Sequence, residues 1–286
     1  MKHLYTIEKM EKTCAAFGSF DGLHRGHLSL VQTLVKEACE RGLTSVLVDF
    51  INVGETAVYT TEEEKECILK ENNLDVLISH PAVGVSEIDM RFFIHRLDTS
   101  FIAEGTGSCS VPYNVHKNKR TVPIMTCQPI FDGDTIISSI ALDDAFSRRD
   151  FPAVSRLCGR AYSMTGTVIH GKGRGKKVGM PTINLSIPAC KRRPPEGVYA
   201  TLMHIGGKVH RGVTNIGRRP SVDNENTVTI ETFLFDFSEQ IYGQKIKLEI
   251  CSFIRDVLKL DGLEAVKQQV KKDIVIARDF FTASGL

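Results

Sequence analysis

Residues 165–185 constrain this chain most, because they read as a strand, a charged loop and a fixed turn in immediate succession. Thr167, Val168 and Ile169 form a β-branched run suited to a strand. The run enters a loop in which Gly171, Gly173 and Gly175 alternate with Lys172 and Arg174, followed by Lys176 and Lys177. Glycine lets backbone N–H groups approach an anion closely, while lysine and arginine bring charge and forked donors to phosphate oxygens. The pattern predicts a cover over a polyphosphate. It contains neither G-x-x-x-x-G-K-[ST] nor G-x-G-x-x-G, so it is not one of those two nucleotide loops. Gly179, Met180 and Pro181 then set a turn that leads to Thr182 and Asn184. Their hydroxyl and carboxamide are neutral oxygen ligands of the kind Mg²⁺ accepts beside nucleotide phosphates.

Strand patterns recur downstream at 199–203, 208–213, 228–237 and 245–250, with Gly206 and Gly207 as a two-residue hairpin turn. Short, regularly spaced strands of this kind predict an antiparallel barrel. The chain then offers a helix whose apolar face is Leu263, Val266, Val270, Ile274, Ala277 and Phe281, opened by a capping-box pattern of Asp261 and Glu264. On a strand over 228–237, Glu231 shares a face with Phe233, Phe235 and Phe237. Rings around a carboxylate disfavour its charged form, which predicts a raised pKa and a general base.

The first half predicts a different architecture. An apolar run at 13–20 reaches a turn of Asp21, Gly22, Leu23, His24, Arg25, Gly26 and His27. Leu28, Val31, Leu34, Val35 and Ala38 follow on one helical stripe, Gly42 stands where the helix stops, and a strand follows at 45–50. This β-α-β unit places a ligand at the helix N-terminus, where the dipole and both imidazoles can face one anion. Thr61 and Glu64 form a capping-box pattern, Glu62 to Glu64 read as a solvated helix cap, 75–78 reads as a further strand, and 146–159 as one joining helix. At 286 residues the chain has length for two domains. A formal net charge of +2 gives no bulk attraction for nucleic acid or an anionic membrane, so any anion site must be local. The eight scattered cysteines include no C-x-x-C pair, and no apolar run is long enough to span a bilayer; reduced, mostly buried thiols in a cytoplasmic protein are expected.

With Pro195-Glu196-Gly197-Val198-Tyr199, Thr214-Asn215-Ile216-Gly217-Arg218-Arg219-Pro220, 229–237 and Ile241-Tyr242-Gly243 added to the cationic loop, residues 159–281 resemble the riboflavin kinase module of prokaryotic FAD synthetases. The H-x-G-H turn with Phe17-Gly18-Ser19-Phe20-Asp21 is similar to the FMN adenylyltransferase module of the same proteins. The resemblance implies a Rossmann-like α/β nucleotidyltransferase domain at 1–157 and a β-barrel riboflavin kinase domain with a C-terminal helix at 158–286. It implies that Glu231 takes the proton of the ribityl 5′-hydroxyl, and that Thr182 and Asn184 hold Mg²⁺ and ATP under the loop of Gly171, Lys172, Gly173, Arg174, Gly175 and Lys177. Asn215 and Arg255 would meet the flavin, with Arg218 and Arg219 as further cations there; Leu260 stands where the family has a phenylalanine. In the first module Gly18, Phe20, Asp21, His24, His27, Ser138 and Ser139 would form the nucleotide site.

The adenylyltransferase motif set is incomplete. Where the family has Ser-Ser-Thr-x-Ile-Arg, this chain has Ile140 for the threonine and Asp143 for the arginine. A Gly-x-Asp-Phe-x-Phe-Gly segment is replaced by residues 104–113, and a Phe-Asp-Pro-His-Pro segment by Asp49-Phe50-Ile51-Asn52-Val53-Gly54. An anion in a cation's place beside a polyphosphate repels it. Three functions follow: a riboflavin kinase with a divergent first module, a full two-step FAD synthetase with substituted phosphate-binding residues, or a non-catalytic flavin-binding regulator. Riboflavin, FMN and ATP are the implied small molecules.

Overall fold

The computed structural model describes residues 1–51, 54, 57–82, 87–105, 116–117, 120–171, 180–218, 228–259 and 262–286. The chain divides into two compact units, Met1–Leu142 and Asp143–Leu286.

The first unit is built on β1 (Lys2–Leu4), β2 (Thr13–Gly18), α1 (Arg25–Arg41), β3 (Thr44–Ile51), α2 (Glu62–Glu71), β4 (Val76–Pro81), α3 (Glu87–Arg96) and β5 (Thr99–Gly105). A short hairpin of β6 (His116–Lys117) and β7 (Arg120–Thr121), the strand β8 (Ile124–Cys127) and a hairpin of β9 (Phe131–Asp132) and β10 (Thr135–Ile136) complete it. One parallel sheet has the order β1-β4-β3-β2-β5-β8. Its central strands β2, β3 and β4 are buried on both faces over most of their length, so they read as largely apolar runs. Ala15, Phe17, Val46, Val48 and Ile78 point to α3, and Cys14, Ala16, Leu47 and Leu77 point to α1 and α2. On α1 the expected stripe is buried at Val31, Leu34 and Ala38, joined by Leu30, while Leu28 and Val35 are half-buried against the same cluster. Gly42 closes the helix in the left-handed region, and the Thr61–Glu64 capping box opens α2. Strand order reverses between β2 and β5, which puts the ligand crevice of such a sheet at the carboxyl end of β2.

The second unit contains most of α4 (Ser139–Ser147), then α5 (Phe151–Cys158) and a six-stranded closed barrel. The barrel strands are β11 (Tyr162–Ile169), β12 (Ile183–Ser186), β13 (Gly197–Ile205), β14 (Lys208–Arg218), β15 (Val228–Leu234) and β16 (Lys245–Arg255), in the order β11-β12-β15-β14-β13-β16, every pair antiparallel. The Gly206–Gly207 hairpin forms as expected, with Ile205 opposite Lys208. Inside, Tyr199, Met203, Ile216, Leu248 and Ile250 surround three fully buried threonines. The hydroxyl of Thr214 hydrogen-bonds those of Thr201 and Thr232, each at 2.8 Å. Outside, Val198, Ala200, Leu202 and Val213 are covered by Ala277 and Phe281 of α6 (Leu263–Ser284).

The single helix expected over 146–159 is two helices. Arg149 takes a left-handed conformation (φ 62°) and Asp150 caps α5 by accepting from the backbone N–H of Ala153 at 3.0 Å. Phe151 of α5 meets the edge of Tyr199 at 5.4 Å, so this helix packs with the barrel. The capping box expected for α6 rests on Asp261, which lies outside the described residues; the N-cap of α6 is Gly262, with no side-chain capping bond. Glu62 is no solvated cap, as it pairs with the buried Lys65. Among the described residues the cysteines are free, with Cys14, Cys127, Cys158 and Cys251 buried and Cys39, Cys67 and Cys190 exposed, and no helix is long and apolar enough to cross a membrane.

Candidate functional site

One row of residues runs around the outside of the barrel. Ile169 stands opposite Asn184, Asn184 opposite Glu231, Glu231 opposite Asn215, Asn215 opposite Val198, and Val198 opposite Arg255. Residues paired across neighbouring strands share a face, with Cβ atoms about 5 Å apart. Closure of the barrel therefore assembles Asn184, Glu231 and Asn215 side by side, although they come from three strands distant in sequence. Their neighbours Leu185, Thr232 and Ile216 point inward by the alternation of the pleat.

The nucleotide end of the row lies at β11 and β12. Gly171 is packed so closely on Asn184 that a Cβ there would stand 2.2 Å from the carboxamide nitrogen, so any larger residue must displace that carboxamide. Asn184 itself is buried. Thr182 lines a cleft of about 330 Å³ with Ile183, Leu234, Phe237, Gln240 and Tyr242. The Tyr242 ring stacks on His170 at 3.8 Å. Lys172, Gly173, Arg174, Gly175 and Lys177, expected to cover phosphates, lie outside the described residues, as do Arg219 and Leu260.

Glu231 is half-buried, but the three-ring enclosure expected around it does not form. β15 ends at Leu234 because Asp236 turns left-handed (φ 54°). Phe233 and Phe235 pack together under α6, their ring centroids 6.4 Å apart and Phe235 against Phe281, while Phe237 leaves them and meets His210. At the other end of the row, the Nε and Nη2 of Arg255 donate to Asp273 at 2.8 and 2.7 Å. Arg218 pairs with Glu196 at the surface.

In the first unit, His24 is the N-cap of α1, and its Nδ1 accepts from the backbone N–H of His27 at 3.2 Å. That bond places the His24 proton on Nε2, which faces the Ser139 hydroxyl at 3.4 Å. The two imidazoles stack at 3.6 Å and 20°. Gly26 makes this possible, since a Cβ there would meet the Ile137 carbonyl at 3.0 Å and the His24 ring at 3.1 Å. Burial, reinforced by the neighbouring His24 imidazole and the Lys65 ammonium, holds the His27 pKa well below the usual imidazole value. Phe20 lies edge-on to His27 at 5.2 Å, with Gly18 leaving room for the ring, and its N–H donates to Asp49 at 2.8 Å. Asp21 is a loop clamp: it accepts from the N–H groups of Gly22, Tyr59 and Thr60 at 2.8 to 2.9 Å. The Ser138 hydroxyl accepts from the Ala141 N–H and starts α4. Ile140 is exposed, and Asp143 pairs with Arg192 at 2.7 Å within the second unit.

Sequence reasoning missed two buried ionic groups. Asp49 and Lys65 are both buried and paired, with Glu62 on the same ammonium at 2.7 Å and the Ser79 hydroxyl on Glu62. The two carboxylates raise the Lys65 pKa and outweigh burial. Asp273, inside the barrel-facing stripe of α6, is the other. In both cases a charged residue stands at core spacing within an apolar helical stripe, which is a legible sign of a buried partner.

A riboflavin kinase family model matches residues 158–281, and an FAD synthetase family model matches residues 6–100. The chain is 27% identical to the bifunctional riboflavin kinase/FMN adenylyltransferase of Haemophilus influenzae, over 99% of each chain. It is 28% identical to the protein of the same name from Bacillus subtilis, over 98% of this chain and 96% of that one. A crystal structure titled macrolide-efflux protein, from Streptococcus pneumoniae, superposes with a TM-score of 0.82 at 22% identity over 96% of this chain and 98% of that one, a likeness of fold alone.

Proposed function

This chain belongs to the bifunctional riboflavin kinase/FMN adenylyltransferase family, and from that premise we propose how its residues divide the work. The barrel unit, with the kinase domain taken as 158–286, phosphorylates riboflavin to FMN at the expense of ATP. Phosphoryl transfer asks little covalent chemistry of a protein and much positioning. The row of Asn184, Glu231 and Asn215 carries this reading, because it lines up a nucleotide ligand, a carboxylate and a flavin contact on one face.

Glu231 accepts the proton of the ribityl 5′-hydroxyl as that oxygen attacks the γ-phosphorus, the bond from that phosphorus to the β–γ bridging oxygen breaks, and ADP leaves. Thr182 and Asn184 supply neutral oxygens, which suits a Mg²⁺ ion that keeps its remaining contacts to phosphate and water. Held there with ATP, a Mg²⁺ ion would supply neutralisation of charge on the transferring group. Gly171 holds the Asn184 carboxamide in place and begins the cover over the phosphates. The cleft beside Thr182 receives the rest of the nucleotide. Asn215 and Arg255 face the flavin; Arg255 lies three strand spacings from Glu231, about 14 Å, a distance comparable with an extended riboflavin.

The first module, taken as 1–157, resembles FMN adenylyltransferase, and the His24–His27 pair at the N-terminus of α1 favours retained nucleotide binding there, with charge on ATP phosphates as its target. Among the described residues Cys39, Cys67 and Cys190 are exposed and unbridged, which supports a reducing, cytoplasmic setting. The test is to incubate the protein with MgATP and riboflavin, and separately with FMN, and to resolve FMN and FAD by chromatography. FMN from riboflavin is expected, and Glu231→Gln should lower kcat by about 10² to 10⁴. Undiminished turnover in that variant refutes the role of Glu231. FAD from FMN identifies the full synthetase, and no product from either flavin leaves a binding protein.

A further inference from the structure

We infer that Asp273 is a positioning residue for riboflavin, acting through Arg255, so that the C-terminal helix is part of the kinase site. The inference rests on the reading of the outer row as the riboflavin site. Its first support is the register of β16. Val198 pairs with Arg255 while Tyr199 pairs with Phe253, so Ile254 is an extra residue in the ladder. Such a bulge re-aims the side chains beyond it. Without it Ile254 would oppose Val198, and Arg255 would turn to the other face. With it, Arg255 joins Asn184, Glu231 and Asn215.

The second support is what meets the guanidinium there. Asp273 is 1% exposed, and its two oxygens accept from Nε and Nη2 of Arg255 and from the Gln269 amide at 3.0 Å. Nη1 of Arg255 donates to the backbone carbonyl of Asp256 at 2.8 Å. Three of the five N–H donors of an arginine are thereby committed, leaving one on each terminal nitrogen. The fork is held side-on by the helix, and its remaining edge is fixed in direction. Stability gives no reason for this arrangement, since a buried ion pair is often matched by apolar residues of the same volume. Directional presentation of two N–H groups does give one. A flavin ring carries carbonyl oxygens and ring nitrogens that accept such donors.

The test uses the full-length protein and the variants Asp273→Asn, Arg255→Lys and their combination. Asn keeps the size of Asp273 but loses the charge and one acceptor, and Lys keeps the charge of Arg255 but loses the fork. The riboflavin KM and the riboflavin dissociation constant, read by quenching of flavin fluorescence, should each rise about tenfold in Asp273→Asn, while the KM for MgATP changes by less than about twofold. The double variant should bind riboflavin no more weakly than the weaker single, because both remove one unit. Asp273→Glu, which restores the carboxylate, should recover part of the loss. A lowered melting temperature with riboflavin binding unchanged overturns the inference, as does an equal rise in both KM values. A wild-type protein that binds riboflavin without making FMN, and binds it more weakly after Asp273→Asn, refutes the kinase reading and sustains this inference. Failure of the wild-type protein to bind riboflavin refutes both.

Discussion

Replacing Lys65 by methionine measures what the buried ionic group of the first unit contributes. Lys65 is 3% exposed and Asp49 1%, so removing the ammonium leaves a carboxylate in the interior with the Phe20 N–H to face it. Breaking a buried pair from one side costs about 3 to 5 kcal/mol. Glu62 is about a third exposed and keeps the Ser79 hydroxyl, so its share is small and the expected loss is about 3 kcal/mol at neutral pH. The pH dependence has a definite sign. In the variant, Asp49 has no cation and burial raises its folded pKa above the unfolded value, so the variant is penalised above that pKa and relieved below it. The deficit relative to wild type should therefore shrink as pH falls through the raised Asp49 pKa towards the ordinary carboxylate value. In the wild type, the raised Lys65 pKa means a contribution fully present below the unfolded lysine value and lost only as pH rises through the folded one. Glu62, whose pKa is lowered, contributes above the ordinary carboxylate value and loses this as pH falls through its folded pKa. The chain has no tryptophan, so urea unfolding is followed by far-UV circular dichroism, with a transition fitted for each unit. A loss below about 1 kcal/mol at pH 7, or a deficit that persists in acid, refutes the pairing. Asp49→Asn added to Lys65→Met should recover part of the stability.

Gly171→Ala puts a methyl group 2.2 Å from the Asn184 carboxamide and should lower kcat/KM for MgATP by about 10²-fold, with riboflavin binding by fluorescence titration unaltered; unchanged ATP kinetics would show that Asn184 does not touch the nucleotide. Asp143→Arg loses the Arg192 pair at a cost under about 1 kcal/mol and should raise the FAD formed from FMN if a missing cation limits the first module. An unchanged FAD yield, measured by chromatography, removes that explanation.

Much of the fold is written locally. The α1 stripe, the Thr61–Glu64 box and the Gly206–Gly207 turn depend on residues within a few positions of one another, and each forms. The departures begin where a backbone conformation is set from outside the segment. Arg149 breaks a helix that periodicity alone continues, because Phe151 is drawn onto the barrel beside Tyr199. Asp236 ends β15 and turns Phe237 away to His210, which breaks up the three-ring enclosure predicted for Glu231. For the site, motif order nominated Asn184, Glu231 and Asn215, but their adjacency depends on barrel closure, which no short stretch encodes. Lys65 and Asp273 were visible as charges within apolar stripes, though their partners Asp49 and Arg255 are not, since each comes from another element.

The three threonine hydroxyls joined inside the barrel bear on how faithfully the outer row is reproduced each time the chain folds. Thr214 adjoins Asn215 and Thr232 adjoins Glu231, so sliding either strand by one place would exchange hydroxyl for amide or carboxylate between wet and dry sides. A misthreaded barrel would strand a charge in the dry interior and break the inner chain at once. The threonines thus act as a checksum on strand alignment, rejecting folded forms in which the outward groups fall out of line.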